Sequence, residues 1–196
     1  MKHSPLRTSI AIVLLVVFPS YGSQCQTLKD HEAQRKQARS DYDLDACIKV
    51  FEQIKATVDA SSGDEACFTF AYAALAVAEL QRIIYEEGSA PPWEKRAMGD
   101  VIDDAAEAGL EILEALPDSS EKYRVRSDLY GLMIRTNFQG KKYAKKMDAA
   151  KDMALKLDRN NPNAHVTGSK KFLFATKRRG GNVEKAMVHL NIALDL

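Results

Sequence analysis

Histidines are the residues from which metal binding and acid–base chemistry would first be expected. The chain contains four of them, His3, His31, His165 and His189. They are scattered, and the last two fall on different predicted helices without a cysteine or carboxylate at the spacing of metal ligands. We therefore predict no metal site and no cofactor. We expect His165 to be a polar residue at the surface or in a groove.

The densest cluster of carboxylates lies on one face of one predicted helix and comprises Asp100, Asp103, Asp104, Glu107, Glu111 and Glu114. Paired carboxylates could act as general acid and base or bind a cation. Six like charges on one helix face repel one another, so we expect a solvated face instead. Gly180-Gly181 is a lone glycine pair, and no serine or cysteine nucleophile motif is present. The sequence therefore predicts a non-catalytic protein.

The N-terminus has the three-part layout of a secretory signal peptide. Lys2 and Arg7 form a basic start, an apolar run covers residues 10–18, and Pro19 with the small residues after it closes the segment. The apolar run is about half the length of a membrane-spanning helix. We predict a signal peptide over residues 1–23 and a periplasmic or secreted protein, with an uncleaved N-terminal anchor as the alternative.

The chain has three cysteines, Cys25, Cys47 and Cys67, so at least one is unpaired. A lipid anchor on Cys25 would need a leucine-like residue three positions earlier and a small residue just before it. Gly22 and Gln24 occupy those places, which argues against lipidation. Cys47 and Cys67 fall on neighbouring predicted helices and could form a disulfide in an oxidising compartment. The alternative is that they are two small buried side chains.

Charge is distributed unevenly along the chain, although its net value is only +1. Residues 88–122 carry a net charge of −6 and residues 123–179 carry +11. Two interpretations are open: solvated faces that attract the acidic segment, or a basic patch that binds an acidic protein or an anionic membrane surface. Nucleic acid is disfavoured by the expected export and by the few aromatic residues among these bases.

Apolar residues recur with helical spacing through most of the chain, and no stretch alternates as a strand would. Residues 24–41 are polar and are expected to form a tether or a weakly held first helix. The remainder predicts seven helices with short joins, so sequential helices should pack antiparallel. No segment after the signal is expected to span a membrane. The predicted helices cover about 44–60, 65–87, 92–116, 121–136, 141–158, 163–176 and 183–196.

A repeat-like pattern occupies the last third of the chain. Residues 154–164 read ALKLDRNNPNA, and Gly168 follows within the next predicted helix. The final predicted helix carries Ala186, Leu190 and Ala193, which place two small residues and one large apolar residue on neighbouring turns. This segment resembles a tetratricopeptide repeat, in which small residues let two helices approach closely.

The resemblance extends to the preceding segment, where Tyr130-Gly131 stands at the family's Leu-Gly position. Candidate units begin near Asp64, Glu121 and Pro162. Their spacings of 57 and 41 residues exceed the family's repeat of about 34. An array that stopped at Leu196 would leave an apolar face uncovered, whereas a longer chain would continue it.

The resemblance implies a right-handed stack of helix pairs over residues 42–196, with a concave groove that binds a partner. Mapped onto this chain, the candidate groove residues are Arg124, Asp128, Arg135, His165, Ser169 and Phe172, with the basic residues Lys171 and Arg178 beside them. The expected function is an exported, non-catalytic scaffold that binds a protein or peptide. The alternative is a ligand-carrying helical component of an envelope transport system for solutes or lipids. A closed apolar cavity beside the 65–87 helix would favour that alternative.

Overall fold

The computed structural model describes residues 21–196. The predicted signal peptide, residues 1–23, falls almost wholly outside this range, as does the side chain of Cys25, so both predictions stay predictions. The described part is all-α, as predicted. It contains one short 3₁₀ turn, Lys177–Arg179, and eight α-helices: α1 Tyr21–Ser40, α2 Leu44–Lys55, α3 Asp64–Glu87, α4 Pro92–Glu114, α5 Ser120–Leu132, α6 Asn137–Leu157, α7 Pro162–Phe174 and α8 Val183–Asp195.

The helix in addition to the seven predicted is α1, Tyr21–Ser40, which covers most of the polar segment 24–41. It packs against α2 and α3, and Arg35 and Ala38 are the buried residues on its inner side. The join between α5 and α6 also differs from the expected one. The side chain of Thr136 accepts a hydrogen bond from Gln139 N at 3.2 Å and starts α6 at Asn137, four residues before the predicted start.

Side-chain caps fix several other helix boundaries. Asp43 accepts from Ala46 N at 2.9 Å and starts α2 as predicted. Pro92 is the first residue of α4, where its missing N–H is not needed. The cap of α5 is Ser119, so this helix begins at Ser120, one residue before the predicted start. Short capped joins of this kind force each helix to fold back along the one before it.

The helices pack in two patterns. Sequential helices are in contact from α1 to α8 throughout the described residues. In addition, each odd-numbered helix contacts the next odd-numbered one, so α1, α3, α5 and α7 form a continuous row. The even-numbered helices lie outside this row and pack on their sequential neighbours.

The core is built around α3, whose alanine-rich surface is buried on several sides. Gly109 lets α4 approach α3 and α5 closely. A Cβ atom at that position would lie 3.0 Å from Ala74 Cβ and 3.0 Å from Leu129 Cδ1, which is tighter than most real Cβ contacts. Ile102, Leu113 and Leu129 are fully buried around this crossing. The close approach of backbones therefore depends on small residues, as it does in tightly packed helix pairs.

Of the helices in residues 21–196, α3 has the length and apolar composition of a membrane span, contrary to the expectation that none would. Yet 67% of its apolar window is buried inside the protein. A central core helix meets the same criteria, so packing accounts for its composition.

Cys47 and Cys67 are both buried free thiols. Burial is the main reason that the pKa of each thiol is raised, and nearby carboxylates add to the effect. A raised pKa lowers the thiolate fraction, so these cysteines have the character of small apolar core residues.

The last helix pair packs through Gly168, where a Cβ atom would lie 3.2 Å from the ring of His189. Ala186 of α8 is fully buried against α7. The rest of α8 exposes large apolar residues among polar ones. The exposed apolar residues of this helix are Val183, Met187, Val188, Ile192 and Leu194.

Candidate binding groove

A groove of about 1670 Å³ runs along the row of odd-numbered helices, with α6 as a further wall. Its lining carries eight Lys or Arg side chains against four Asp or Glu, a net charge of +4. The cations are Arg35, Lys36, Arg39, Arg82, Lys141, Lys151, Lys170 and Lys171, and the carboxylates are Glu79, Glu86, Asp128 and Asp148. Concave walls concentrate the field of such charges, so the groove attracts anionic groups.

Apolar side chains lie between these charges. Leu80 and Ile83 come from α3, Leu132 and Ile134 from the end of α5 and the residues after it, and Phe174 from α7. Ile83 is 38% exposed and Phe174 is 83% exposed. A ligand that covered them would gain roughly 25 cal/mol for each Å² of apolar surface removed from water. The groove therefore suits a segment that carries both apolar and acidic groups.

Ion pairs connect the four odd-numbered helices along the groove. Arg39 of α1 pairs with Glu79 of α3 at 2.7 Å, and Glu79 lies 3.7 Å from Lys170 of α7. Lys170 in turn donates to Asp128 of α5 at 2.8 Å. We call these four residues, with the residues that contact Asp128 from α5 and α7, the groove network.

Asp128 is the most buried member of this network, with a side chain only 4% exposed. Besides Lys170, it accepts from Arg124 Nη1 at 3.0 Å and from Thr167 Oγ1 at 3.1 Å. Arg124 also donates to both oxygens of Glu121. A buried carboxylate with three donors is fully satisfied, and removing one partner would leave charge uncompensated.

Tyr72 closes the network on the α3 side by donating to Glu121. Burial, followed by this carboxylate, raises the pKa of Tyr72 to about 12. Burial alone would lower the pKa of Arg124, but Glu121 and Asp128 outweigh it and the pKa is raised. Burial would raise the pKa of the Glu121 carboxyl. The hydrogen bond and charge of Arg124, with hydrogen bonds from Tyr72 and Asn161, outweigh burial, so the pKa is lowered. All three groups therefore hold their usual charge near neutral pH.

Arg35 of α1 differs from the other groove cations because it is buried, with 8% exposure, and has no ion pair among the described residues. Its guanidinium lies over the Tyr72 ring, 5.4 Å from the centroid. Its Nε atom is buried without a hydrogen-bond partner in the described part of the chain. Burial lowers its pKa, which shows the charged form to be unfavourably placed. An unsatisfied buried charged donor costs about 1–3 kcal/mol or more.

Of the predicted groove residues, the structure places some in the groove lining and others outside it. Asp128 and Lys171 line the groove, where Lys171 donates to Asp148 at 2.7 Å. Arg124 lies behind Asp128 in the groove network. Arg135 lies elsewhere: it forms a bidentate pair with Asp103 of α4 at 2.8 and 2.6 Å. Arg178 is exposed and does not line the groove.

The Arg135–Asp103 pair also bears on the charge pattern of the sequence. A second pair joins the same two regions, since Arg126 lies 2.9 Å from Glu114. Basic residues of α5 and of the residues after it thus neutralise part of the acidic face of α4, one of the two interpretations of the uneven charge. In residues 21–196, no group of three or more His, Cys, Asp or Glu side chains could hold a metal ion.

His165, Ser169 and Phe172 form a joint between α7 and α8 rather than part of the groove lining. His165 Nε2 lies 2.9 Å from the carbonyl oxygen of Arg159, so this nitrogen must carry the proton. Its Nδ1 lies 3.2 Å from His189 Nδ1 and, in the neutral ring, accepts from it. The Phe172 ring stacks on the His189 ring, with centroids 5.8 Å apart. Ser169 donates to Val166 O at 2.7 Å.

Acidification should weaken this joint. Burial, then the charges of His165 and Lys151, lowers the pKa of His189 below its usual 6.5. The unfolded chain then binds the proton more tightly than the folded one, so stability is complete above pH of about 6.5 and falls below it. We expect His189→Phe to reduce the loss of urea stability between pH 7.5 and 5.5. His31→Gln is the control, and an equal reduction by that variant would contradict the assignment.

Arg35 and Arg39 were not predicted because α1 was expected to be a tether or a weakly held helix, and Glu79 of α3 was not predicted because its partner Arg39 lies on α1. A helical signal was nevertheless present. Leu28, Arg35 and Ala38 share one side of α1, and that side faces the core. Arg35 is polar although it lies on the core-facing side of α1, so the apolar residues of this helix do not by themselves show helical spacing.

Comparison with known proteins gives no relative. No family model matches the chain, and neither a curated protein nor a solved structure matches it. The geometry of the groove is therefore the basis on which a function is inferred.

Proposed function

We propose that the protein is an exported, non-catalytic scaffold of the tetratricopeptide type, a right-handed solenoid that binds an acidic protein or peptide segment in its groove. The continuous row of α1, α3, α5 and α7 supports a stack of helix pairs, because each pair contributes one helix to the row. The close approach at Gly168 supports the family resemblance of the last pair. The signal-like N-terminus supports export to the bacterial envelope.

The groove lining is the observation that carries the proposal. The lining of this concavity of about 1670 Å³ carries a net charge of +4 together with apolar side chains such as Leu80, Ile83 and Phe174. Ion pairs between the odd-numbered helices hold the walls of the groove in place before a ligand binds. Ordering the walls therefore subtracts little from the free energy of binding. Such a surface binds an extended segment reversibly, with acidic groups steering the encounter and apolar contacts slowing release.

The transport alternative is less well supported by this lining. A carrier of lipids or apolar solutes would need a closed apolar cavity beside α3. The groove next to α3 instead has twelve charged side chains along its walls. Desolvating those charges against an apolar cargo would be unfavourable.

The proposal is tested by placing a negative charge on the groove wall. We expect Ile83→Glu to reduce partner capture from envelope extract at least about tenfold, because it removes an apolar contact and repels acidic groups. Leu157→Glu is the matched control: Leu157 is 45% exposed, similar to Ile83 at 38%, but lies outside the groove. Equal capture by both variants, or capture unchanged by Ile83→Glu, would overturn the groove assignment.

A further inference from the structure

Arg35 is the one buried cation in the groove lining of the described residues that lacks a carboxylate partner. The nearest cations on α1 are already paired. Lys36 lies 2.7 Å from Glu32, and Arg39 lies 2.7 Å from Glu79. Glu32, one helical turn before Arg35 on α1, is therefore engaged by Lys36, and Glu79 of α3 is engaged by Arg39.

The charges do not balance when Arg35, and Glu121 that pairs with Arg124, are counted with the groove network. The three carboxylates are Glu79, Glu121 and Asp128. The four cations are Arg35, Arg39, Arg124 and Lys170. One positive charge remains, and it is on the buried side chain whose Nε has no acceptor. A single anionic group at Arg35 would neutralise it.

The surroundings of Arg35 suit an oxyanion. The Tyr72 ring supports its guanidinium from one side, which restricts the plane of the N–H donors. His31, one helical turn earlier on α1, has a second buried nitrogen, Nδ1, without a hydrogen-bond partner in the described residues. Two polar groups without partners thus stand on consecutive turns, beside a groove that carries net positive charge.

We propose that Arg35 binds the carboxylate of one Asp or Glu side chain within the segment that occupies the groove. This inference rests on the proposed function and adds the point at which the segment is held. A planar guanidinium offers paired N–H donors that match the two oxygens of a carboxylate, and burial strengthens such a pair. Because Arg35 lies on α1, at one end of the helix row, the contact fixes the register of the segment along the groove.

The test uses the full chain and two fluorescein-labelled peptides, one of alternating Leu and Glu and one with Gln in place of every Glu. Fluorescence anisotropy measures both dissociation constants. We expect wild type to prefer the Glu peptide. Arg35→Gln should weaken Glu-peptide binding about tenfold and leave the Gln peptide nearly unchanged, because a charge-assisted hydrogen bond is lost.

Lys36→Gln is the matched control, since it removes the same charge from the adjacent, exposed residue of the groove lining. Its effect should be about twofold at most, because water and salt screen an exposed charge. Arg35→Lys keeps the charge but not the planar donors, and should bind with intermediate affinity. That variant also keeps the test decisive if Arg35→Gln does not fold. In wild type, the NMR signal of Arg35 Nε–H should shift upon addition of the Glu peptide.

The possible results separate the two proposals. If wild type binds the Glu peptide but Arg35→Gln and Lys36→Gln weaken it equally, the role of Arg35 is overturned and the groove function stands. If wild type binds both peptides equally, the carboxylate contact is overturned together with the preference for an acidic segment, and only segment binding by the groove stands. If wild type binds neither peptide, the proposed function fails, and the inference about Arg35 fails with it.

Discussion

Arg124→Met should lower the free energy of unfolding by about 3–5 kcal/mol, because it leaves two carboxylates in and beside the core without their shared cation. Arg124 is the residue through which Glu121 and Asp128 are joined. Methionine retains much of the side-chain volume, so the loss reports charge rather than a cavity. Urea unfolding is the appropriate measurement, since guanidinium would screen the pairs being tested.

Arg126→Met provides the control on the same helix. Arg126 pairs with Glu114, whose side chain is 64% exposed, so this pair is surrounded by water. We expect its removal to change stability by less than about 1 kcal/mol. Equal losses in the two variants would show that burial does not distinguish the groove network from a surface ion pair.

Leu129→Ala should lower the free energy of unfolding by about 2–5 kcal/mol, because Leu129 is fully buried where α4 crosses α3 and α5. Leu157→Ala removes the same atoms from an exposed site and should cost no more than about 0.5 kcal/mol. Urea unfolding of both variants measures the difference. Similar losses would mean that the crossing is not a packed part of the core.

The same crossing predicts how Gly109 and Leu129 depend on each other. Gly109→Ala in the wild type should destabilise by about 1–3 kcal/mol, because its Cβ would crowd Leu129 and Ala74 at 3.0 Å. In the Leu129→Ala background one of those contacts is gone. The double variant should therefore lose at least about 0.5 kcal/mol less than the sum of the single variants. Additive losses would contradict the close approach.

The fold was largely predictable because its determinants are local. Helical spacing, the cap at Asp43 and the proline that starts α4 each act within one or two turns. The site was less predictable because its members are joined across helices. Asp128 was predicted as a groove residue, but its partner Lys170 is forty-two residues away. No periodicity in the sequence specifies such a pair.

Arg124 and Arg135 are two further residues whose contacts the sequence did not specify. Both were expected to face a ligand, because the resemblance to a tetratricopeptide repeat maps them to groove positions. Each instead binds a carboxylate of this chain, Arg124 within α5 and Arg135 on α4. A sequence shows that a side chain is charged, but whether that charge is already satisfied depends on neighbours that only the folded chain brings together.

The groove network also gives the groove a gradient of stiffness. At the α5–α7 end, the Arg124–Asp128 pair is almost completely buried, and mobile ions screen it weakly. At the α1 end, the Arg39–Glu79 pair has one side chain 53% exposed. Rising salt should therefore weaken the Arg39–Glu79 pair first and loosen the contact of α1 with α3, while the Arg124–Asp128 pair at the opposite end is less affected. The groove is therefore stiffer at its α5–α7 end than at its α1 end.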